Sequence, residues 1–373
     1  MAARARKLLM LITGLERGGA EVQVCALAGE LSRRGWKVSV ISMRKAGPLA
    51  ARLRACGIAV ADLGMSPGRP SLRGFLAYHR AVSRFGPELI HSHLVHANLL
   101  ARAGRALGLR TPLINSAHGE PEAVRWFGWA YRYSDRWCDR FHAVSERALA
   151  AFRRDGWVSA EKLFSLPNGV VCDREPSPDV RARIRNALGL ADRFTFLHAG
   201  RLDAEKDQQT LLRGFAAVRG DRPAQLLIAG DGPLRGQLEA LCRELEPSNP
   251  VVFLGARDDV PDLLAAADAF VLSSVTEGLP VALLEAGAAG LPVVATEVGD
   301  VPRLLVPGCS AGLVPAGDPA ALGRELEGLL ALAPAERERL GQALRARVHE
   351  HFSLGRIVDR WEDVYCDLIE AGG

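Results

Sequence analysis

Short apolar runs alternate with longer, helix-patterned stretches along the whole of this 373-residue chain, and few folds accept that rhythm. Runs that are apolar throughout suit strands covered on both faces, and the stretches between them are the crossovers that parallel strands require. The pattern predicts strands from Leu8 to Ile12, Val38 to Ser42, Ala59 to Leu63, Leu89 to Ser92, Leu113 to Ser116, Phe141 to Val144 and Leu163 to Ser165. A second series runs from Thr195 to Ala199, Gln225 to Ala229, Val251 to Leu254, Ala269 to Leu272 and Val293 to Ala295. At roughly 150 residues per domain the length allows two or three domains. Each half reads as a doubly wound α/β unit.

The charge divides where the turn formers gather. Residues 1–170 hold 26 Lys and Arg against 12 Asp and Glu, net +14, whereas residues 171–373 are net −10. The sign changes across Pro167-Asn-Gly-Val-Val-Cys-Asp-Arg-Glu-Pro-Ser-Pro178, which marks the linker. The first domain is assigned to 1–170 and the second to 171–354. A terminal helix over 355–370, carrying Trp361 and Tyr365, need not pack on the second domain alone, and 355–373 are assigned with the first. The basic half is either a set of solvated helix faces or a surface for something anionic, a phosphate-bearing acceptor or the anionic cytoplasmic leaflet.

The seven cysteines are scattered without a C-x-x-C pair, which suits reduced thiols in a cytoplasmic protein. Arg4, Arg6 and Lys7 ahead of Leu8 to Leu15 imitate a signal peptide, but Glu16 and Arg17 cut the apolar run and it reads better as a buried first strand. No apolar stretch approaches the ~20 residues of a membrane span, so the chain is expected to be soluble or peripheral, the peripheral location being the inner face of the cytoplasmic membrane.

Chemistry is expected at the strand ends. The first strand runs into Gly14-Leu-Glu-Arg-Gly18-Gly19-Ala20-Glu21, where two glycines offer amides to an anion or make a plain tight turn. Neither half has G-x-G-x-x-G after its first strand, which weakens a nicotinamide-dehydrogenase reading. The second half opens instead with Gly200-Arg-Leu-Asp-Ala-Glu-Lys206. Arg201 and Lys206 together supply a planar fork and a mobile charge for a diphosphate; the alternative is a surface pair bound to Asp203 or Glu205. In Glu277-Gly-Leu-Pro-Val-Ala-Leu-Leu-Glu285, Pro280 fits a first helical turn but not a helix interior. Glu277 therefore falls in a loop ahead of a helix N-terminus that favours anions, and Glu285 lies about a turn and a half further on.

Three other features compete. His91-x-His93-x-x-His96 imitates a metal site but lacks a carboxylate partner, so no metal is expected. Glu277 and Glu285 imitate a glycosidase pair, against which the surrounding phosphate-suited residues argue. The Trp- and Arg-rich segment from Val124 to Trp137 is a packed helix or a surface for an acceptor or membrane edge; stacking on nucleic acid does not fit the rest of the chain.

Gly18-Gly-Ala-Glu21, Phe141-His-Ala-Val-Ser-Glu146, Pro167-Asn-Gly169, Gly200-Arg-Leu through Lys206, Ile228-Ala-Gly-Asp-Gly-Pro233, Phe253-Leu-Gly255 and Glu277 through Glu285 occur in an order that resembles the family-four retaining glycosyltransferases of the GT-B fold. The resemblance implies two Rossmann-like domains with a cleft between them and a C-terminal helix crossing back to the first domain. It implies that Arg201 and Lys206 bind the diphosphate of a nucleotide sugar, a UDP- or GDP-sugar. Glu277 would bind the sugar and Glu285 the ribose, with Gly278, Leu279, Pro280 and Val281 presenting amides and backbone to donor oxygens, and Ala256 and Arg257 at the base. Gly18 and Gly19 would close on the donor, and His118, in Ser116-Ala-His-Gly119, would face the donor sugar. The departure at Pro307-Gly-Cys-Ser-Ala-Gly312 affects only a loop beyond these contacts.

The implied reaction retains anomeric configuration by front-side attack, with the leaving diphosphate helping to deprotonate the acceptor hydroxyl and with no metal or other cofactor. Segments like His91 to Arg102 occur in exopolysaccharide and cell-surface transferases, which points to a lipid-linked glycan acceptor. A sugar-nucleotide epimerase of similar shape and a non-catalytic sugar-nucleotide binding module are the alternatives.

Overall fold

A computed structural model describes residues 5–66, 71–119, 125–172, 177–190, 192–220, 222–309 and 311–372, so 173–176 of the expected linker lie outside the described residues. The chain divides into two compact units, Met1–Gly169 with Leu354–Gly373, and Val170–Ser353. The elements of the first unit are β1 (Lys7–Ile12), α1 (Gly19–Arg33), β2 (Lys37–Ser42), α2 (Leu49–Ala55), β3 (Ala59–Asp62), α3 (Leu72–Phe85), β4 (Leu89–His93), α4 (Val95–Ala106), β5 (Leu113–Ala117), α5 (Arg125–Ser134), β6 (Arg140–Ala143), α6 (Glu146–Asp155) and β7 (Leu163–Ser165). Those of the second are α7 (Pro178–Ala187), β8 (Phe194–Ala199), α8 (Gln208–Ala217), β9 (Ala224–Ala229), α9 (Arg235–Leu245), β10 (Val251–Gly255), α10 (Val260–Ala266), β11 (Ala269–Leu272), α11 (Val281–Ala288), β12 (Val293–Thr296), α12 (Val301–Leu304), β13 (Gly312–Val314), α13 (Pro319–Ala331) and α14 (Pro334–Phe352). Helix α15 (Leu354–Gly372) returns to the first unit.

Among the described residues, the first unit holds a seven-stranded parallel sheet in the order β3-β2-β1-β4-β5-β6-β7. The two-residue period of each strand sorts its side chains onto two faces. Leu8, Met10 and Ile12 of β1 pack with α1, α2 and α15, while Leu9 and Leu11 pack with Tyr78 and Val82 of α3 and Ala97 and Ala101 of α4. Buried Trp361 and Tyr365 make α15 part of this core rather than a free tail. Arg34, which caps the C-terminus of α1, fastens it further, bonding Asp359 and Glu362 at 2.6 Å each, and Trp36 donates to Glu362 at 2.7 Å.

The second unit holds a six-stranded parallel sheet, again among the described residues, in the order β10-β9-β8-β11-β12-β13. Its inner strands β8, β9, β11 and β12 are wholly buried because helices cover both faces, while the edge strands β10 and β13 are partly exposed. Edge strand β13 is absent from the sequence expectation: three residues following a Pro- and Gly-containing loop carry too little apolar pattern to register. Small residues allow the tightest helix contact, where a Cβ on Gly341 of α14 would lie 1.9 Å from the Gly290 carbonyl that ends α11.

Candidate active site

In the second unit the loops leaving β8, β9 and β10 are pressed together. The Gly200 amide donates to Ala229 at 3.0 Å and the Gly230 amide to Gly255 at 2.8 Å. Gly230 has φ +149, and a Cβ there would stand 1.8 Å from the Gly200 carbonyl, so this crossing excludes any other residue. The loops after β11 and β12 meet in the same way: Gly299, φ +54, leaves room for the Glu277 carbonyl, which a Cβ would approach to 2.2 Å, and Asp300 N–H donates to Gly278 at 2.9 Å.

These loops bring two of the expected residues into contact. Lys206 Nζ makes an ion pair with Glu277 Oε1, and Ser274 Oγ donates to the same oxygen at 2.7 Å. The Lys206 side chain is 23% exposed and that of Glu277 only 10%, so the pair is largely withdrawn from water. Backbone ties hold both ends, with Ser273 Oγ donating to the Lys206 carbonyl at 2.8 Å and Val275 N–H to that of Glu205 at 2.9 Å. Arg201 instead lies out in solvent, 65% exposed, bound to Asp203 and 3.9 Å from Glu205. The sequence alternative, pairing with Asp203 and Glu205, thus holds for Arg201 and not for the Lys206 side chain.

Beneath the pair sits a residue the sequence reading missed. His198 Nδ1 faces the Val271 carbonyl at 3.1 Å and is therefore the protonated nitrogen; Nε2 accepts from Gln208 at 3.2 Å, whose amide also donates to the Arg201 carbonyl at 2.8 Å. Burial, then the Lys206 charge, pushes His198 down to about 4. Its place at the inward end of β8 is a signal that only the strand assignment could have supplied.

Pro280 caps α11, which begins at Val281, as its fixed φ requires, and Glu277 stands in the loop before it. Gly278 lies in the same loop, Leu279 is buried, and Glu285 falls in the second turn of α11, partly exposed. The Leu283 and Leu284 amides donate to the Pro280 carbonyl at 3.2 and 3.3 Å, closing the first turn of α11. Ala256 is exposed, and Arg257 is held by both oxygens of Asp259 at 2.8 and 2.6 Å, which raises the guanidinium and lowers the carboxyl.

In the first unit Gly18 caps α1 in an extended conformation and Gly19 is its first residue. His118 follows β5, partly exposed, with Nε2 3.1 Å from His93 Nδ1. The histidine trio is not a metal cluster: among the described residues no group of three His, Cys, Asp or Glu could hold an ion. His96 packs edge-on against Phe127. His91 belongs to a buried chain whose proton directions follow from its end. His142 Nε2 must donate to the Leu166 carbonyl at 2.8 Å, so its Nδ1 accepts from Ser116 at 2.8 Å; Ser116 then accepts from His91 Nε2 at 2.6 Å, and His91 Nδ1 accepts from Tyr365 at 2.7 Å. Burial keeps both rings neutral, pushing His142 down to about 3 and His91 well below its ordinary value.

The aromatic segment divides by face, with Phe127 and Tyr131 of α5 buried while Trp129 and Tyr133 are exposed and stacked at 5.9 Å. Val124 lies outside the described residues. Among those residues, no helix is long and apolar enough to cross a membrane.

Two parallel-sheet Rossmann-like units, the second with its charged loops gathered at the carboxyl ends of the strands, define a GT-B glycosyltransferase fold. An Anabaena protein solved with UDP-glucose, Alr3699/HepE, shares it with a TM-score of 0.85 at 21% identity, over 97% of this chain and 99% of that one. Residues 17–174 match the model of Glycosyltransferase Family 4 and residues 193–331 that of Glycosyl transferases group 1. N-acetyl-alpha-D-glucosaminyl L-malate synthase of Bacillus anthracis is 32% identical over 289 residues, 76% of this chain and 75% of that protein. An Escherichia coli UDP-Gal:alpha-D-GlcNAc-diphosphoundecaprenol alpha-1,3-galactosyltransferase is 21% identical over 80% of each chain. The chain belongs to glycosyltransferase family 4.

Proposed function

We propose that the protein transfers a sugar, with retention of configuration, from a UDP- or GDP-sugar to a hydroxyl of a lipid-linked or cell-surface glycan precursor. The observation that carries the donor side is the withdrawn Lys206–Glu277 pair, anchored by Ser274 and set beside the α11 N-terminus. A diphosphate arriving there meets the Lys206 ammonium and the α11 amides, with the Arg201 fork free to swing in from solvent. Glu277, released from Lys206, accepts hydrogen bonds from sugar hydroxyls, and Glu285 serves the ribose. With Ala256 and Arg257 at the base, Gly18 and Gly19 closing on the donor and His118 at the sugar, these roles follow the family pattern. No side chain is assigned as a covalent nucleophile; the leaving diphosphate takes the acceptor proton, and the protein positions the reactants and stabilises developing charge.

The acceptor reading draws on relatives of the kind that use a diphosphoundecaprenol-linked sugar. The outer face of α3 supports a membrane-side location: Leu72 and Leu76 are exposed beside Arg73, Arg80 and Arg84, with no acidic residue in the helix. Sedimentation with phosphatidylglycerol vesicles but not with phosphatidylcholine vesicles is the expected result, and indifference to lipid charge removes this part of the reading.

The whole is tested by mass spectrometry and NMR of products formed from a panel of UDP- and GDP-sugars with membrane extract. A glycolipid of retained configuration is expected. A donor epimerised without acceptor, or bound and never turned over, refutes the transferase reading.

A further inference from the structure

His93 ends β4 and is buried, its ring 4.0 Å from that of His91 and its Nδ1 against His118 Nε2. Its other nitrogen, Nε2, is buried with no hydrogen-bond partner among the described residues. It borders a cavity of about 10 Å³ shared with Gln23, Ser116, His118 and Asn168. That volume is at the lower limit for a single water. Three of the neighbouring polar groups are already committed: Ser116 and His142 to the buried chain, and the Gln23 amide to the backbone of Gly169, at 3.0 and 3.1 Å.

One proton lies between His93 and His118, and its side is decided by what each choice leaves in the cavity. If His118 Nε2 were the donor, neutral His93 would carry its hydrogen on Nε2 and bury a bare N–H. If His93 Nδ1 is the donor, Nε2 buries only a bare lone pair. Orphaned buried donors are the rarer and costlier outcome, while an under-used acceptor is tolerated more often. We propose that His93 is a positioning residue that donates Nδ1–H to His118 Nε2, locking His118 as the neutral Nδ1–H tautomer, so that toward a donor sugar it acts as a hydrogen-bond donor and not as a base. Burial lowers both rings, His118 to about 4, so the neutral forms dominate at neutral pH. The statement about the sugar rests on the role given to His118 above; the tautomer does not. It also agrees with a mechanism in which the acceptor proton leaves on the diphosphate, since a ring already protonated on its outward nitrogen cannot take it.

The tautomer is read directly by two-bond ¹H–¹⁵N correlation on the full chain labelled at histidine, with the His118 signals identified by their loss in His118→Phe. A hydrogen on Nδ1 is expected; a hydrogen on Nε2, or on both nitrogens, overturns the proposal. In turnover with the nucleotide sugar selected by the panel, His93→Phe should lower kcat/KM by about 2- to 13-fold, the range for one neutral hydrogen bond. It should also mix the His118 tautomers. His93→Asn, whose amide N–H can stand near the place of Nδ1, should restore most of the loss. A His93→Phe chain with unchanged kcat/KM and unchanged tautomer refutes the positioning role. Full turnover in His118→Ala would instead remove the role of His118 in the reaction and leave the tautomer result untouched.

Discussion

Lys206 stands in contact with Glu277, so its removal has two separable consequences. The Lys206→Met chain keeps the aliphatic stem but leaves a carboxylate that is 10% exposed with the Ser274 hydroxyl bonded to it. Breaking a fully buried pair costs about 3–5 kcal/mol. Here the 23% exposure of Lys206 lets water reach the vacated place, which lowers the expectation to about 1–3 kcal/mol. For a unit of this size each kcal/mol moves the midpoint by about 2–4 °C, so Tm should fall by several degrees. Adding Glu277→Gln removes the stranded charge, since the amide can still accept from Ser274, and should return most of that Tm.

Nucleotide binding should respond differently, because the diphosphate loses its cation in both the single and the double variant. A charge-assisted bond of about 1.5–3 kcal/mol predicts 10- to 150-fold weaker binding of UDP or GDP, whichever the protein prefers, by titration calorimetry. The double variant should be stable and still weak in binding. Recovery of nucleotide affinity in the double variant would show that Lys206 serves only Glu277. A Lys206→Met chain as stable as the parent would show that the pair contributes nothing to the fold.

Acid should destabilise both units. His142 in the first and His198 in the second have folded values of about 3 and about 4, below the ~6.5 of a free imidazole, so the unfolded chain binds protons first as pH falls. Stability is complete above about pH 6.5 and declines toward pH 4 with a slope approaching about 1.4 kcal/mol per pH unit for each histidine. A Tm that stays level from pH 7 to 4.5 in scanning calorimetry contradicts this. Gly299→Ala forces a methyl to within 2.2 Å of the Glu277 carbonyl at a positive φ, and should cost about 1–3 kcal/mol while weakening nucleotide binding through the displaced loop; unaltered Tm and affinity would show that the loop yields freely. EDTA should leave turnover unchanged, because Arg201, Lys206 and the α11 amides supply the positive potential; loss of activity restored by magnesium refutes the metal-free reading.

Most strands were legible because their apolar runs are continuous and buried on both faces, and the start of α11 was legible because Pro280 is barred from a helix interior and the helix begins just after it. The Lys206–Glu277 contact was not, since 71 positions separate the two residues. It needs the fact that β8 and β11 are neighbours, which places their following loops side by side, and sequence pattern gives strands without giving their order. His91 and His93 could be put on one face of β4 by the two-residue period, but their partners could not. Ser116 and His142 arrive from adjacent strands in register, and Tyr365 from a helix more than 270 positions away. Hence in a trio spaced like metal ligands His91 and His93 are neighbours while His96 packs apart on Phe127, and the nitrogens of His91 are spent on Tyr365 and Ser116.

The same topological rule accounts for both halves of the candidate machinery. In each sheet the strand order reverses beside the unit's first strand, between β1 and β4 in one and between β8 and β11 in the other. The crossover connections that follow such a pair lead to opposite faces of the sheet, so the loops at the carboxyl ends border a crevice that no crossover helix fills. In the second unit that place receives Gly200 to Lys206 after β8 and Ser273 to Pro280 after β11. In the first it receives Gly14 to Gly19 after β1 and His93 at the end of β4, with His118 following β5. The two glycine-bearing turns, the Lys206–Glu277 pair and the His93–His118 contact are therefore consequences of one architectural position used twice.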